Sequence, residues 1–81
     1  MPTLHRIGSI KVDVYSRDHL PPHFHAIYGN SEALIVIRTL DLYAGVLPNP
    51  QLRTVRKWAK NKKIENMLLE NFYRLNPKLR K

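Results

Sequence analysis

The residues best suited to chemistry lie in one short stretch, Asp18-His19-Leu20-Pro21-Pro22-His23-Phe24-His25. It holds three of the chain's four histidines and two of its six prolines. Pro21 and Pro22 have fixed φ and no N–H donor, so no helix can run through them. Leu20 is driven extended by the proline that follows it. His23-Phe24-His25-Ala26-Ile27-Tyr28 then reads as a strand that Gly29-Asn30 ends. Strand side chains alternate, so His23 and His25 share one face and Phe24, Ala26 and Tyr28 the other. Two Cα atoms at that spacing lie about 6.6 Å apart, close enough for both imidazoles to reach one ligand.

Three chemistries fit this pattern. His23 and His25 can chelate zinc or another borderline ion, with His19 and Asp18 completing the site. The same rings can serve as proton donor and acceptor in metal-independent RNA cleavage, with Tyr15 or Lys11 nearby. Alternatively the histidines are structural and fix loops through ring N–H bonds to carbonyls. The expected state is without a cofactor, and His19, His23 and His25 are the candidate catalytic residues. A divalent metal held by His23, His25, His19 and Asp18 is the alternative. A Gly-rich phosphate loop, a Ser-His-Asp arrangement and a paired-carboxylate site are all absent, which weighs against nucleotide-binding and common hydrolase classes.

A hairpin positions the histidines. Gly29-Asn30 between two β-like runs is a two-residue turn, and it dictates the register. Tyr28 faces Ser31, Ala26 faces Ala33 and Phe24 faces Ile35 on one side. On the other, Ile27 faces Glu32, His25 faces Leu34 and His23 faces Val36. Ala33 to Ile37 is apolar on both faces and reads as a central strand. Ile10, Val12 and Val14 alternate with polar residues as a half-buried strand. His5 to Ile7 is an extended lead-in, and Leu42-Tyr43-Ala44 is a possible short strand. Pro48-Asn49-Pro50 opens a helix, with Asn49 as expected N-cap and Pro50 at the first helical position. Leu52, Val55 and Ala59 line its apolar face, with Trp58 at the margin. A break is expected near Asn61-Lys62-Lys63. A second apolar stripe runs through Ile64, Met67, Leu68, Phe72 and Leu75 until Asn76-Pro77 stops it.

Strands first and helices after imply an α+β fold: a small antiparallel sheet of three to four strands, with two C-terminal helices packed on one face. The reading is one domain over residues 1–81. The sheet region spans 1–47, the helical region 48–76 and a basic tail 77–81.

The net charge is +8, and it is unevenly placed. Residues 1–50 carry four cations and four anions, whereas residues 51–81 carry ten cations and two anions. Arg53, Arg56, Lys57 and Lys60 share one helical face, with Lys62 and Lys63 just beyond. Such asymmetry points to an acidic partner, either nucleic acid (RNA ahead of DNA) or an acidic cognate protein. With no cysteine, disulfides and thiolate metal sites are excluded. No apolar run approaches the ~20 residues of a membrane span. The N-terminus has no signal-peptide core, so a cytoplasmic protein without a membrane partner is expected.

The eight-residue motif resembles the signature of a bacterial family catalogued as domain of unknown function 4160. The likeness extends over Met1 to Val12, Gly45-Val46-Leu47-Pro48, Trp58-Ala59 and Leu68-Leu69-Glu70-Asn71-Phe72. Two departures stand out: Phe72 where the family pattern has tryptophan, and a basic Lys60-Asn61-Lys62-Lys63 that lacks the expected histidine. The resemblance implies a partner encoded nearby, as in toxin–antitoxin pairs. The expected function is therefore one component of such a pair. It would bind nucleic acid or its cognate protein through the basic helices, with RNA cleavage at the histidines as the candidate activity. A non-catalytic interaction module and a metal-binding protein are the alternatives.

Overall fold

In the computed structural model, residues 4–16 and 18–79 are described. Five strands form one antiparallel meander in chain order: β1 (His5–Ile7), β2 (Ile10–Asp13), β3 (His23–Tyr28), β4 (Ser31–Val36) and β5 (Leu42–Gly45). Two helices follow, α1 (Asn49–Ala59) and α2 (Lys62–Leu75). The sheet thus has five strands where the sequence suggests three or four. The lead-in His5–Ile7 pairs with β2 as an edge strand. Leu42–Gly45 pairs with β4 across a register shift at Leu34/Ile35.

The β3–β4 hairpin has the register expected from its turn, from Tyr28↔Ser31 to His23↔Val36. Gly29 alone takes positive φ at the turn, the first-position glycine of a type II′ hairpin. Val12, Phe24, Ala26, Ala33 and Ile35 are fully buried on one face, in one cluster with Val55, Ala59, Leu68 and Phe72 of the helices. Burying each of the larger side chains among these, Val, Ile, Leu and Phe, contributes roughly 1.5–3 kcal/mol. Trp58 is half-buried at the rim of this core. It stacks on His5 with ring centroids 4.9 Å apart and meets Phe24 edge-on, so His5 is a packing residue.

Helix α1 begins one residue before the sequence-based expectation. Asn49 is already helical, and Pro48, extended at φ −56° and ψ 145°, occupies the N-cap without a side-chain hydrogen bond. Pro50 lies in the first turn, where a missing N–H costs nothing. The break falls at Asn61, whose side chain accepts from Lys63 N at 2.8 Å and caps α2. Helix α2 ends at Leu75, and Pro77–Leu79, the start of the basic tail, form a 3-10 turn. Met1, Pro2 and Thr3 of the opening motif and Arg80 and Lys81 of the tail lie outside the described residues. Among the described residues, no helix is long and apolar enough to cross a membrane.

Candidate functional site

Strand β3 presents His23 and His25 on the face opposite Phe24 and Ala26. The connection between β2 and β3 then folds back and brings Asp18 over both rings. It is held there by Asn76, just past α2. The Asn76 side chain accepts from Asp18 N at 2.8 Å and donates to Tyr15 O at 2.9 Å and Phe72 O at 3.0 Å. The result is a covered site: His23 is fully buried and His25 nearly so.

Both imidazole Nε2 atoms converge on one carboxylate oxygen. Asp18 Oδ2 lies 3.0 Å from His23 Nε2 and 3.2 Å from His25 Nε2. Each Nδ1 is anchored to an oxygen on its far side. His23 Nδ1 lies 2.8 Å from Pro21 O, and His25 Nδ1 lies 2.8 Å from Glu32 Oε2. His19 repeats the pattern at the rim: its Nδ1 is 3.2 Å from Leu20 O and its Nε2 is 3.7 Å from Asp18 Oδ1. Its side chain is 59% exposed, so His19 stands at the mouth while His23 and His25 form the floor. The Tyr15 ring lies 4.2 Å from that of His25, and Tyr43 contacts both His19 and His23.

Proton accounting gives this geometry its chemical meaning. A carbonyl only accepts, so His23 Nδ1 carries a proton for Pro21 O. In the neutral ring, Nε2 is then a bare lone pair. Burial would raise the Asp18 carboxyl. The hydrogen bond from His25, the N–H of His19 and the charges of the His23 and His25 rings outweigh burial and hold the carboxyl below its ordinary value. Asp18 is therefore an acceptor at neutral pH. With His25 Nε2 donating to the carboxylate, His23 Nε2 and Asp18 Oδ2 are left as two acceptors side by side, a pair that a proton or, once His25 gives up its Nε2 proton, a metal ion can satisfy. Buried His23 Nε2 makes no hydrogen bond although Oδ2 lies 3.0 Å away; in the neutral ring both atoms are acceptors. Burial and the negative charges of Asp13, Glu32 and Asp18 push the Tyr15 phenol up, so Tyr15 keeps its proton.

Of the residues singled out from sequence, Asp18, His23 and His25 come together around one point, with His19 adjoining. Lys11 pairs with Ile27 across β2 and β3, and is not among the residues whose ligand atoms come together. Arg53, Arg56, Lys57 and Lys60 line one open hollow on α1. Lys62 and Lys63 lie outside it, on the first turn of α2. Two further residues of the site are Glu32 and Asn76. Glu32 is the diagonal cross-strand neighbour of His25, through the pairs His25↔Leu34 and Ile27↔Glu32. That placement is readable from the hairpin register. Asn76 is 58 residues from Asp18 and carries no local signal.

No match is found among curated proteins or among solved structures. The pattern of the family described as Domain of unknown function (DUF4160) matches residues 9–72, a span that includes every site residue above except Asn76. The chain belongs to the family of domain of unknown function 4160.

Proposed function

We propose that this protein is a divalent transition-metal-binding domain, with zinc the best-suited ion. Asp18, His23 and His25 are its ligands, and His19, with Nε2 at 3.7 Å from the other Asp18 oxygen, is the residue that would have to swing inward to fill a fourth position. The observation that carries this reading is His23 Nε2: fully buried, 3.0 Å from an ionised carboxylate oxygen and yet without a hydrogen bond. Two lone pairs converging on a third point are what a metal ion requires. Ligand atoms around a tetrahedral zinc with bonds of about 2.0–2.1 Å are separated by about 3.3 Å, near the 3.0 and 3.2 Å found here. The Nδ1 anchors to Pro21 O and Glu32 Oε2 also match the outer shell that metal-binding histidines commonly have.

Elemental analysis of protein purified without chelators tests the reading. About one zinc per chain is expected, with loss in both His23→Ala and Asp18→Asn. Metal-free protein that takes up no zinc on titration contradicts it.

A second reading rests on His25, whose two ring nitrogens both meet carboxylate oxygens, of Glu32 and Asp18. A doubly protonated ring satisfies both at once. In that case His19, His23 and His25 form a metal-free acid–base site of the kind RNA cleavage needs. Cleavage of RNA by chelator-treated wild type, abolished in His25→Ala, would favour this reading over the metal.

A further inference from the structure

We infer that the exposed face of α1 is a binding surface for the phosphodiester backbone of nucleic acid, independent of the metal centre. Arg53, Arg56, Lys57 and Lys60 follow one another at i, i+3, i+4 and i+7, so all four project from one side of the helix. They alone line an open hollow of about 470 Å³. Among the described residues, none of the four forms an ion pair; the only Lys or Arg that does is Lys62, with Glu65 at 3.7 Å. Arg56 is the fixed member. Its Nε donates to Leu40 O at 2.9 Å, and Leu40 is held at φ +64°, a conformation uncommon for a non-glycine residue.

A simple solubility role does not account for this arrangement. Basic residues near the C-terminus of a helix offset its dipole, which covers Arg56 and Lys57. The same rule makes Lys62 and Lys63 unfavourable, because they occupy the first turn of α2. They continue the basic run past Lys60 along the chain at a local cost, which Glu65 offsets at Lys62 alone. Such local violations are expected where function demands them.

The composition of the hollow separates nucleic acid from an acidic protein. Protein interfaces have a desolvated core depleted of charge and of lysine in particular. Every residue lining this hollow is cationic, with aliphatic stems forming its walls and the charged heads its rim. Nucleic-acid interfaces are polar and strongly positive, and at least half of their hydrogen bonds go to phosphate and sugar.

The test is a salt titration by fluorescence anisotropy with a labelled single-stranded RNA, its DNA counterpart and a duplex. It compares wild type with the triple variant Arg53→Ala, Lys57→Ala, Lys60→Ala. All three positions are exposed, and Arg56 is retained because it ties down Leu40. Four phosphate contacts on a single strand give a log–log slope near −2.8, so affinity falls about 50-fold between 50 and 200 mM salt. The triple variant keeps one contact and should fall only about threefold over that range. Its melting midpoint and its zinc uptake should match wild type, which separates this surface from the metal centre. If the triple variant melts early, Arg53→Lys, which keeps charge, and Lys57→Gln, which removes it, provide the same comparison. Equal affinity and equal slope for wild type and the charge-removing variant would overturn the inference. So would tighter binding of a poly-glutamate peptide than of RNA of equal charge, which would assign the face to an acidic protein.

Discussion

Asp18 and Asn76 are joined by a 2.8 Å hydrogen bond across 58 residues of chain, from the backbone N–H of one to the side-chain oxygen of the other. This bond ties the carboxylate of the site to the end of the last long helix. The histidines stand on the sheet, whereas their acidic partner is held by the helical layer. The site is complete only when both layers have docked.

Asn76→Ala should therefore act at two levels. It leaves Asp18 N and Tyr15 O without their partner in a region where Asn76 is 6% exposed. Each such orphaned group costs about 1–3 kcal/mol. Zinc affinity should fall as well, because the Asp18 loop is released. Urea unfolding of the metal-free protein and zinc calorimetry read the two effects separately. An unaltered zinc affinity in a destabilised variant would show that the clamp matters to the fold alone.

Glu32→Gln should weaken zinc without removing it. Glu32 reaches the proposed metal site through His25 Nδ1, at 2.8 Å. Changing an outer-shell partner of this kind typically lowers metal affinity by about 10–100-fold. Competition with a chromophoric chelator measures this directly.

The metal-free protein should lose stability in acid through Asp18. Its carboxyl is held below the ordinary value in the folded state, and an unfolded aspartate titrates near 3.9. The unfolded chain therefore takes up the proton first as pH falls. The stability from Asp18 is full above about pH 4 and is lost as pH drops through the folded value. Urea midpoints measured from pH 6 downward should fall more steeply for wild type than for Asp18→Asn. Parallel curves would show that the carboxylate is not favoured by folding.

Phe72→Ala should be the more damaging of two aromatic truncations. Phe72 is fully buried beside His23, with ring centroids 5.8 Å apart, and its loss should cost about 3–5 kcal/mol. Trp58 lies half-buried at the rim, so Trp58→Ala should cost less. Thermal melts of the two variants settle the order.

The legible part of this fold was what depends on short-range rules. Gly29-Asn30 set the hairpin register, and strand alternation then placed His23 and His25 on one face. The apolar stripes of α1 and α2 marked the residues that meet the sheet. The start of α1 was missed by one residue, because Asn49 enters the helix although a proline follows it. The short edge strands were harder to count: β1 has three residues and β5 is exposed along its whole length. Glu32 is within reach of the register, which places it on the histidine face opposite Ile27 and diagonal to His25. Asn76 was out of reach, since its partners Asp18 and Tyr15 are brought to it only by the packing of helix on sheet.

Zinc calorimetry on metal-free wild type and His23→Ala, run side by side, tests the central claim most directly. The account predicts a single site of about one zinc per chain for wild type and no saturable heat for His23→Ala. Equal heats for the two proteins, or none for either, would contradict a metal centre built on Asp18, His23 and His25.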